Sequence, residues 1–369
     1  MNHTFLATAA FGLEGVAANE LKRMGIAARA EQGGARFEGS FADAYRANLH
    51  LRTADRVLCC LKEAEALTFD QLFRLVESIP WENLLPRDAS IHVSGKCVRS
   101  RLMSVRDCQA IAKKAIVTRL QQKLRLNRLP ETGAEYPIEV AVVKDVARIT
   151  LDMSGEALNR RGYRTWNGEA PLRETLAAAL VDLSPWRPGM RLYDPCCGTG
   201  TLLIEAAIKA SQRPAGVNRS FACEKFSFMP RDAMADLKAE ARLTAAREST
   251  FTISGSDIDP EALVLADRHI KQAGFEGRIT VSQQDLRTLQ LDGEPGLFLC
   301  NPPYGERLGD QQQARALYRE MGLLLKRHPG WKMAVITSDS AFERNFGRRA
   351  DKKRRLYNGR LECEFCIFG

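Results

Sequence analysis

The most specific chemical signal in the chain is the run Asn301-Pro302-Pro303-Tyr304, which follows an apolar segment at 297–300. Consecutive prolines stiffen the backbone and remove two N–H donors. Carbonyl oxygens and the side-chain oxygen of Asn301 are then left to accept hydrogen bonds, and Tyr304 offers a flat face on which a base can stack. The run therefore predicts a site that binds and orients a planar amino group.

A glycine-containing loop forms the second candidate site. Gly198 and Gly200 allow a tight turn, and the helix predicted at 201–210 would present free N–H groups to a carboxylate. The spacing matches neither the three-glycine dinucleotide fingerprint nor a phosphate-binding P-loop. The cofactor-binding residues predicted in this loop are Asp194, Pro195, Cys196, Gly198, Thr199, Gly200 and Thr201.

Acidic residues follow two further predicted strands. Asp257 is placed to bind ribose hydroxyls, as in nucleoside-cofactor folds, whereas Asp259 precedes Pro260 and is expected to cap a helix. Asp285 could accept a hydrogen bond from an adenine amino group or cap a turn, and both interpretations stay open. The nucleoside contacts predicted beyond the glycine loop are Asp257, Ile258, Asp285, Leu286 and Asn301.

These loops belong to a region in which predicted strands and helices alternate, from about residue 155 to the end of the chain. Alternation of this kind predicts a mainly parallel sheet with helices on both faces, an α/β Rossmann-like domain at 155–369. Ligands bind at the carboxyl ends of the strands in such sheets. The candidate residues should therefore meet at one edge of the sheet.

Two smaller α+β units are predicted upstream. Residues 1–62 show the order strand, helix, strand, strand, helix, strand, which is ferredoxin-like. Residues 63–154 form the second unit, and its longest helix is predicted at 104–122 with Ser104 as N-cap and Asp107 three residues on.

The second unit has a basic surface, and the whole chain has a net charge of +9. A basic surplus suits a polyanionic partner, although most basic helix faces are simply solvated. The residues predicted to contact nucleic acid are Lys96, Arg99, Arg101, Arg106, Lys113 and Lys114. A second basic stretch at 344–360 is either a solvated loop or an RNA contact, and would lie near the site only if the last strands form a hairpin.

Several classes of function are disfavoured. No apolar run reaches the ~20 residues that span a bilayer, and the N-terminus has no basic region typical of a signal peptide. The ten cysteines suggest reduced, buried thiols in a cytoplasmic protein. Cys363 and Cys366 form one CxxC pair without the further ligands that a zinc site requires, so no metal is predicted.

The combination of 194–201, Asp257 and 301–304 resembles class I methyltransferases that act on amino groups. The whole chain resembles the THUMP-containing RNA guanine-N2 methyltransferases, in particular the bacterial type that modifies large-subunit ribosomal RNA. The segments 154–164, 170–175 and 301–309 also resemble that family. The resemblance implies a ferredoxin-like domain, a THUMP RNA-binding domain at 63–154 and a methyltransferase domain.

The resemblance also implies roles. The glycine loop would hold the methionine part of S-adenosylmethionine, Asp257 its ribose and Asp285 its adenine. Asn301, the Pro302 carbonyl and Tyr304, with Pro303 between them, would form the catalytic set that holds the target base. Some family members carry a second fused methyltransferase domain; this chain ends at Gly369, so a second activity is expected to come from another protein.

The expected activity is methyl transfer to N2 of a guanine in structured RNA, most simply 23S ribosomal RNA, with no obligate protein partner and no membrane. The rival enzyme interpretations are guanine methylation in transfer RNA, adenine N6 methylation in nucleic acid, and methylation of a protein glutamine. Each target is a planar amino group that 301–304 would fit. The non-enzyme rival is an RNA-binding chaperone, which the intact set of candidate residues argues against.

Overall fold

The computed structural model describes residues 2–164, 172–304 and 310–369. Within these residues the strands form two seven-stranded sheets, one in each half of the chain. The segments 165–171 and 305–309 lie outside the described residues, and with them parts of the predicted family segments 170–175 and 301–309.

The first unit has the predicted ferredoxin-like order of elements, with its strands arranged β2-β3-β1-β4. Its elements are β1 (His3–Thr8), α1 (Glu14–Arg23), β2 (Ala28–Glu31), β3 (Gly34–Gly39), α2 (Phe41–His50) and β4 (Arg56–Glu65). Helix α2 begins where a capping box forms, since the Ser40 side chain accepts from the Asp43 N–H and the Asp43 side chain accepts from the Ser40 N–H.

The second unit continues the same sheet. Strand β4 pairs antiparallel with β7, so the full order is β2-β3-β1-β4-β7-β6-β5. The elements are α3 (Phe69–Glu77), a 3₁₀ turn (Trp81–Asn83), β5 (Ser90–Val98), α4 (Val105–Leu124), β6 (Glu135–Val143) and β7 (Val146–Asp152). The two predicted units thus share one sheet, and the boundary proposed near residue 62 falls within β4.

Helix α4 follows the sequence prediction closely. The Ser104 hydroxyl accepts from the Asp107 N–H at 3.3 Å, and the helix ends at Arg125, which has a left-handed backbone conformation. The apolar side of the helix, including Cys108, Ala112 and Ile116, is buried against the sheet. The basic residues consequently face outward.

The third unit is the predicted mainly parallel α/β domain. Its elements are α5 (Glu174–Leu183), β8 (Arg191–Asp194), α6 (Thr201–Ala210), a 3₁₀ turn (Ala222–Lys225), α7 (Arg231–Ala245), β9 (Ile253–Asp257), α8 (Pro260–Gln272), β10 (Ile279–Gln283), β11 (Gly296–Cys300), α9 (Asp310–Arg327), β12 (Lys332–Thr337), α10 (Phe342–Phe346), β13 (Lys352–Asn358) and β14 (Leu361–Phe368). In the strand order β10-β9-β8-β11-β12-β14-β13, the connections run one way along the sheet from β8 and the other way from β11. Among the described residues, the antiparallel pairs of this sheet are β12–β14 and β14–β13. A crevice at such a switch point is where doubly wound sheets bind ligands.

One segment of the third unit packs away from its own sheet, which the alternation of elements did not predict. Residues 217–241 contribute side chains to the hydrophobic core of the first two units. Phe226 stacks on Tyr136 at a centroid distance of 4.6 Å, and the Cys223 N–H donates to the Met153 carbonyl. This segment therefore joins the α/β domain to the N-terminal sheet.

The last two strands form a hairpin, which is the condition under which the basic stretch at 344–360 was expected to lie near the site. Strand β13 covers much of 344–360 and pairs antiparallel with β14. The stretch therefore comprises the end of α10, a connecting loop and the edge strand β13, and much of it is exposed to solvent. The turn of the hairpin lies at the carboxyl-end edge of the parallel strands, the edge at which the site was predicted.

Candidate active site

A cavity of about 520 Å³ lies at the carboxyl ends of β8 and β11, within the usual range for small-molecule sites. Residues of the glycine loop, of helix α8 and of the loop after β11 all contribute to it. The lining residues are Leu172, Asp194, Cys196, Cys197, Gly198, Thr199, Thr201, Leu202, Asp259, Glu261, Ala262, Leu265 and Asn301. The structure thus brings together two loops that lie about a hundred residues apart in sequence.

The glycine loop has the backbone geometry that its composition predicted. Gly198 and Gly200 have φ of +50° and +78°, and Gly200 is the N-cap of α6. A Cβ on Gly198 would meet no atom within 4 Å, so this part of the loop is open. Its N–H donates to Oδ2 of Asp257 at 2.8 Å, which ties the loop to the end of β9.

Asp194 is the most unusual group in the cavity. Only 1% of it is exposed, and its Oδ1 accepts from the Cys196 N–H at 3.0 Å. Burial raises the pKa of Asp194 well above its ordinary value, and the nearby Asp257 raises it further. Among the described residues no basic side chain forms an ion pair with it. A buried carboxylate without a counter-charge is costly and suits a cationic ligand.

The neighbouring groups extend this acidic character. Burial raises the pKa of the Cys196 thiol well above its ordinary value, and Asp194, Asp257 and Asp285 add to the effect. Three carboxylates therefore lie close enough to one loop to act on it electrostatically. A raised pKa disfavours the thiolate, the form of cysteine that acts as a nucleophile.

Asp257 and Asp259 lie where the sequence predicted but differ in role. Asp257 accepts from the N–H groups of Gly198 and Asp259, so it organises the loops, and it is not among the residues that line the cavity. Asp259 accepts from the Glu261 N–H and caps α8 before Pro260, as predicted. The ribose-binding role of Asp257 stays a prediction.

The structure places Asp285 in a turn. Its Oδ1 accepts from the Arg287 N–H at 2.9 Å, and its other oxygen pairs with the Arg287 guanidinium. The hydrogen bonds from Arg287 lower the pKa of Asp285. The turn-cap interpretation therefore describes this geometry, and Asp285 and the buried Leu286 are not part of the cavity lining given above.

The Asn-Pro-Pro-Tyr loop begins directly after β11. Asn301 lines the cavity, Pro302 is buried, and the Pro303 carbonyl accepts from the Tyr318 hydroxyl at 3.2 Å. The Tyr304 hydroxyl donates to Oδ1 of Asn301. The acceptor that the sequence assigned to a target amino group is thus occupied by Tyr304, whose ring packs inward against the core.

The basic residues predicted to contact nucleic acid divide into two groups. Lys96 pairs with Glu139 at 3.1 Å, and Lys113 pairs with Glu131 at 3.0 Å. The other four are exposed, and none of them forms an ion pair with a described residue: Arg99, Arg101, Arg106 and Lys114. Arg99 and Arg101 lie in the loop after β5, the edge strand of the N-terminal sheet, and Arg106 and Lys114 lie on α4.

Sequence reasoning missed several cavity residues. Glu261, Ala262 and Leu265 line the cavity from the first turns of α8, where residues three and four apart share a face. That spacing after the Asp259 cap was a usable signal. Arg164 is not part of the lining, but its guanidinium donates to the hydroxyl of the lining residue Thr201 at 2.6 Å, a contact across 37 residues that no local pattern predicts.

Three further properties bear on the kind of site. In the ranges that the structure describes, histidine, cysteine, aspartate and glutamate side chains form no group of three or more placed to hold a metal ion. All ten cysteines are free thiols. No helix in the described part of the chain has the length and apolar character needed to cross a membrane.

Three family profiles match consecutive parts of the chain. Residues 4–58 match the RlmL ferredoxin-like domain, residues 66–152 match the THUMP domain, and residues 161–367 match the RMKL-like methyltransferase domain. The last match alone covers more than half of the chain.

Curated relatives match over nearly the full chain. It is 40% identical to the Bacillus subtilis protein named "Putative RNA methyltransferase YpsC", over 98% of this chain and 95% of that one. It is 35% identical to the ribosomal RNA large subunit methyltransferase K/L of Syntrophotalea carbinolica, over 99% of this chain. The chain spans about half (53%) of that second relative.

Solved structures agree with the fold. SMU.472, described as complexed with SAH, superposes with a TM-score of 0.95 at 37% identity, covering 100% of this chain and 98% of that chain. A Listeria monocytogenes protein, described as a predicted N6-adenine-specific DNA methylase, has a TM-score of 0.95 at 43% identity, covering 100% and 96%.

Proposed function

The chain belongs to the RMKL-like methyltransferase family, and from this premise we propose that it transfers a methyl group from S-adenosylmethionine to the exocyclic N2 of a guanine in large-subunit ribosomal RNA. The observation that carries the proposal is the shared cavity. Asn301, from the predicted amino-group site, lines the same space as Asp194 and Gly198 from the predicted cofactor site. A methyl donor and a planar amino group could therefore meet there.

The residues of the cavity fit S-adenosylmethionine, which carries an ammonium and a sulfonium charge and supplies an electrophilic methyl group. Asp194 is a buried carboxylate in need of a cation. The open glycine loop and the first turn of α6 would hold the methionine carboxylate, since a helix N-terminus favours negative charge. Asp257, at the end of β9, would bind the ribose.

On the substrate side, Asn301 and the Pro302 carbonyl would accept hydrogen bonds from the target amino group and orient its lone pair. The Tyr304 hydroxyl first has to release Oδ1 of Asn301, because that oxygen is its acceptor in this structure. Once the Tyr304 side chain has moved away from Asn301, its ring is free to stack on the base. Positioning of this kind can lower a barrier by roughly 7–11 kcal/mol.

RNA binding would depend on the basic edge of the N-terminal sheet, through phosphates rather than bases. Arg99, Arg101, Arg106 and Lys114 are exposed, and none of them has a carboxylate partner among the described residues. The affinity for RNA should then fall steeply as salt rises. Retention of full affinity at high salt would contradict this part of the proposal.

The experiment combines the protein, radiolabelled S-adenosylmethionine and ribosomal RNA from cells that lack the gene, followed by digestion to nucleosides. Label in N2-methylguanosine supports the proposal, and the Asn301→Ala variant should lower the rate roughly 10²- to 10³-fold, the usual loss when one preorganised hydrogen-bonding group is removed from a reacting centre. Asn218→Ala, at an exposed turn outside the cavity lining, is the matched control.

Other outcomes of the labelling experiment would indicate a different substrate. Label in N6-methyladenosine would favour the chemistry named for the Listeria structure, and label in transfer RNA alone would change the substrate class. No label in any RNA, with cofactor binding intact, would overturn the RNA proposal in favour of an amino group in DNA or protein.

A further inference from the structure

We propose that Phe11 and Tyr357, here called the aromatic platform, stack on the nucleotide next to the target base in a bound RNA strand. This inference rests on the proposed RNA substrate. Phe11 comes from the loop between β1 and α1 in the first unit, and Tyr357 from β13 in the third. Their rings meet edge to face at a centroid distance of 5.6 Å.

Phe11 is exposed although it is a large apolar residue. It leaves 65% of its surface in solvent, one of the largest exposures of any apolar side chain in the described chain. Exposed aromatic side chains can bind single-stranded nucleic acid, because every base offers a face for stacking. Single exposed apolar residues are common on protein surfaces, so the role of Phe11 has to be argued from the residues around it.

The loop that carries Phe11 is held in place against β13. Gly12 has φ of +87°, and a Cβ at this position would lie 3.0 Å from the Arg355 carbonyl, so only glycine fits there. The Gly12 carbonyl accepts from the Arg354 guanidinium at 2.8 Å, and its N–H donates to Glu14 at 2.8 Å. An aromatic ring on a loop that is fixed in this way loses little conformational entropy when it binds a ligand.

Tyr357 of the platform lies on the same hairpin as two residues that contact the predicted target site. Tyr357 is followed by Asn358, and the side chains of Asn358 and Cys363 lie beside the Tyr304 hydroxyl. That hydroxyl donates to Asn301. Strand β13 therefore carries both a platform residue and, next to it in the chain, a residue that contacts the predicted target site.

The strand beside the platform carries the charge that an RNA backbone requires. Residues 344–360 contain eight basic residues and one acidic residue. Some of these are neutralised: Lys353 pairs with Glu343 and Glu364, and Arg355 pairs with Glu362. Lys352 and Arg360 are exposed, and neither has a carboxylate partner among the described residues.

These features together favour RNA over a protein partner. A base would cover the exposed ring of Phe11, and phosphates would lie against the exposed cations of β13 and its turn. A protein partner or a second copy of the chain would have to match the same positive surface with acidic residues. The basic stretch at 344–360 would then position the RNA so that the base next to the stacked nucleotide enters the site.

The test compares Phe11→Leu, Phe11→Trp and Arg360→Gln with the unaltered chain, using unmodified 23S ribosomal RNA made by transcription. Phe11→Leu should raise KM for the RNA about 5- to 100-fold, the usual effect of losing one stacked base, while Phe11→Trp should retain the unaltered value. Leu243→Ala is the matched control, since Leu243 is 70% exposed on α7, far along the chain from the platform. It should leave KM unchanged.

Salt dependence separates stacking from charge. Phe11→Leu should leave the slope of log affinity against log salt unchanged, whereas Arg360→Gln should reduce it by roughly 0.7 to 0.9. Binding of S-adenosylmethionine, measured by calorimetry, should be the same in all variants, which excludes a general loss of structure.

Three results would overturn the inference. An RNA KM for Phe11→Leu within twofold of the unaltered chain would remove the stacking role. A change in sedimentation of Phe11→Leu without any change in RNA binding would assign the platform to self-association. If the unaltered chain neither binds nor methylates any RNA, the proposed function fails and this inference fails with it; the first two results leave that function intact.

Discussion

The cofactor cavity and the basic face of α4 differ in whether their charged side chains are paired with an opposite charge. In the cavity, Asp194 is buried and has no cation among the described residues. On the basic side, Lys96 and Lys113 each have a carboxylate partner at about 3 Å, and Arg119 holds both oxygens of Glu82. Net positive charge therefore overstates the surface available to RNA, and one uncompensated carboxylate indicates a ligand more specifically than many basic residues do.

The largest effect should come from the uncompensated side of this comparison. Asp194→Asn removes the proposed counter-charge for the cofactor ammonium, so the Kd for S-adenosylmethionine should rise at least about 30-fold, as when one partner of a buried charge pair is lost. Calorimetry would measure it. Asp236→Asn, at an exposed site on α7, is the matched control, and an unchanged Kd in Asp194→Asn would remove the counter-charge argument.

The same substitution should have the opposite effect on the stability of the free protein. Because the pKa of Asp194 is raised in the folded state, folding is disfavoured increasingly as pH rises from the ordinary carboxyl value through the folded one. Asp194→Asn should therefore melt at the same or a higher temperature than the unaltered chain at pH 8, and the difference should shrink as pH falls. Thermal melting without cofactor at several pH values tests this.

The cofactor should reverse that pH dependence. A cationic ligand favours the ionised carboxylate, so affinity for S-adenosylmethionine should increase as pH rises through the folded pKa of Asp194. Titration calorimetry across this range is the measurement. If Asp194→Asn shows the same pH profile as the unaltered chain, another group controls binding.

A smaller effect should distinguish paired from unpaired cations on the basic face. Arg106→Gln or Lys114→Gln should each lower the slope of log RNA affinity against log salt by roughly 0.7 to 0.9, one phosphate contact each. Lys113→Gln should change the slope less, because Lys113 is already paired with Glu131. Equal slopes for all three variants would mean that the pairing seen here does not govern RNA binding.

The smallest effect should come from breaking a fully paired site. The Arg119 guanidinium lowers the pKa of Glu82 to about 2. Glu82→Gln should lower stability by only about 0.3–1 kcal/mol near pH 7, since surface ion pairs contribute little. Glu82 stabilises the fold above its ordinary pKa, and this contribution is lost as pH falls from about 4.5 toward 2. The melting-temperature difference from the unaltered chain should therefore narrow between pH 5 and pH 3.

Much of the chemistry was readable because it is local. Gly198, Gly200, the Asp259 cap and the paired prolines act on backbone within a few residues, so their patterns predict geometry directly. Alternating elements then predicted that the loops would meet at one edge of a parallel sheet, and Asn301 and Asp194 do line one cavity.

Two features of the fold could not be predicted from local sequence patterns. The pairing of β4 with β7 merges two predicted units into one sheet, and residues 217–241 join the core of those units instead of their own. Both arise from contacts between distant parts of the chain. A strand carries no local mark of which other strand it will pair with beyond its buried face.

The sequence by itself determined the kinds of elements, their order, and the residue types available at the ends of the strands. Tertiary structure alone decided which charges are neutralised and which acceptors are occupied. Arg119 and Glu82 are 37 residues apart, Lys96 and Glu139 are 43 apart, and Phe11 meets Tyr357 across nearly the whole chain. The energy of a charge or an exposed ring depends on its neighbours in space, and spacing along the chain does not specify those neighbours.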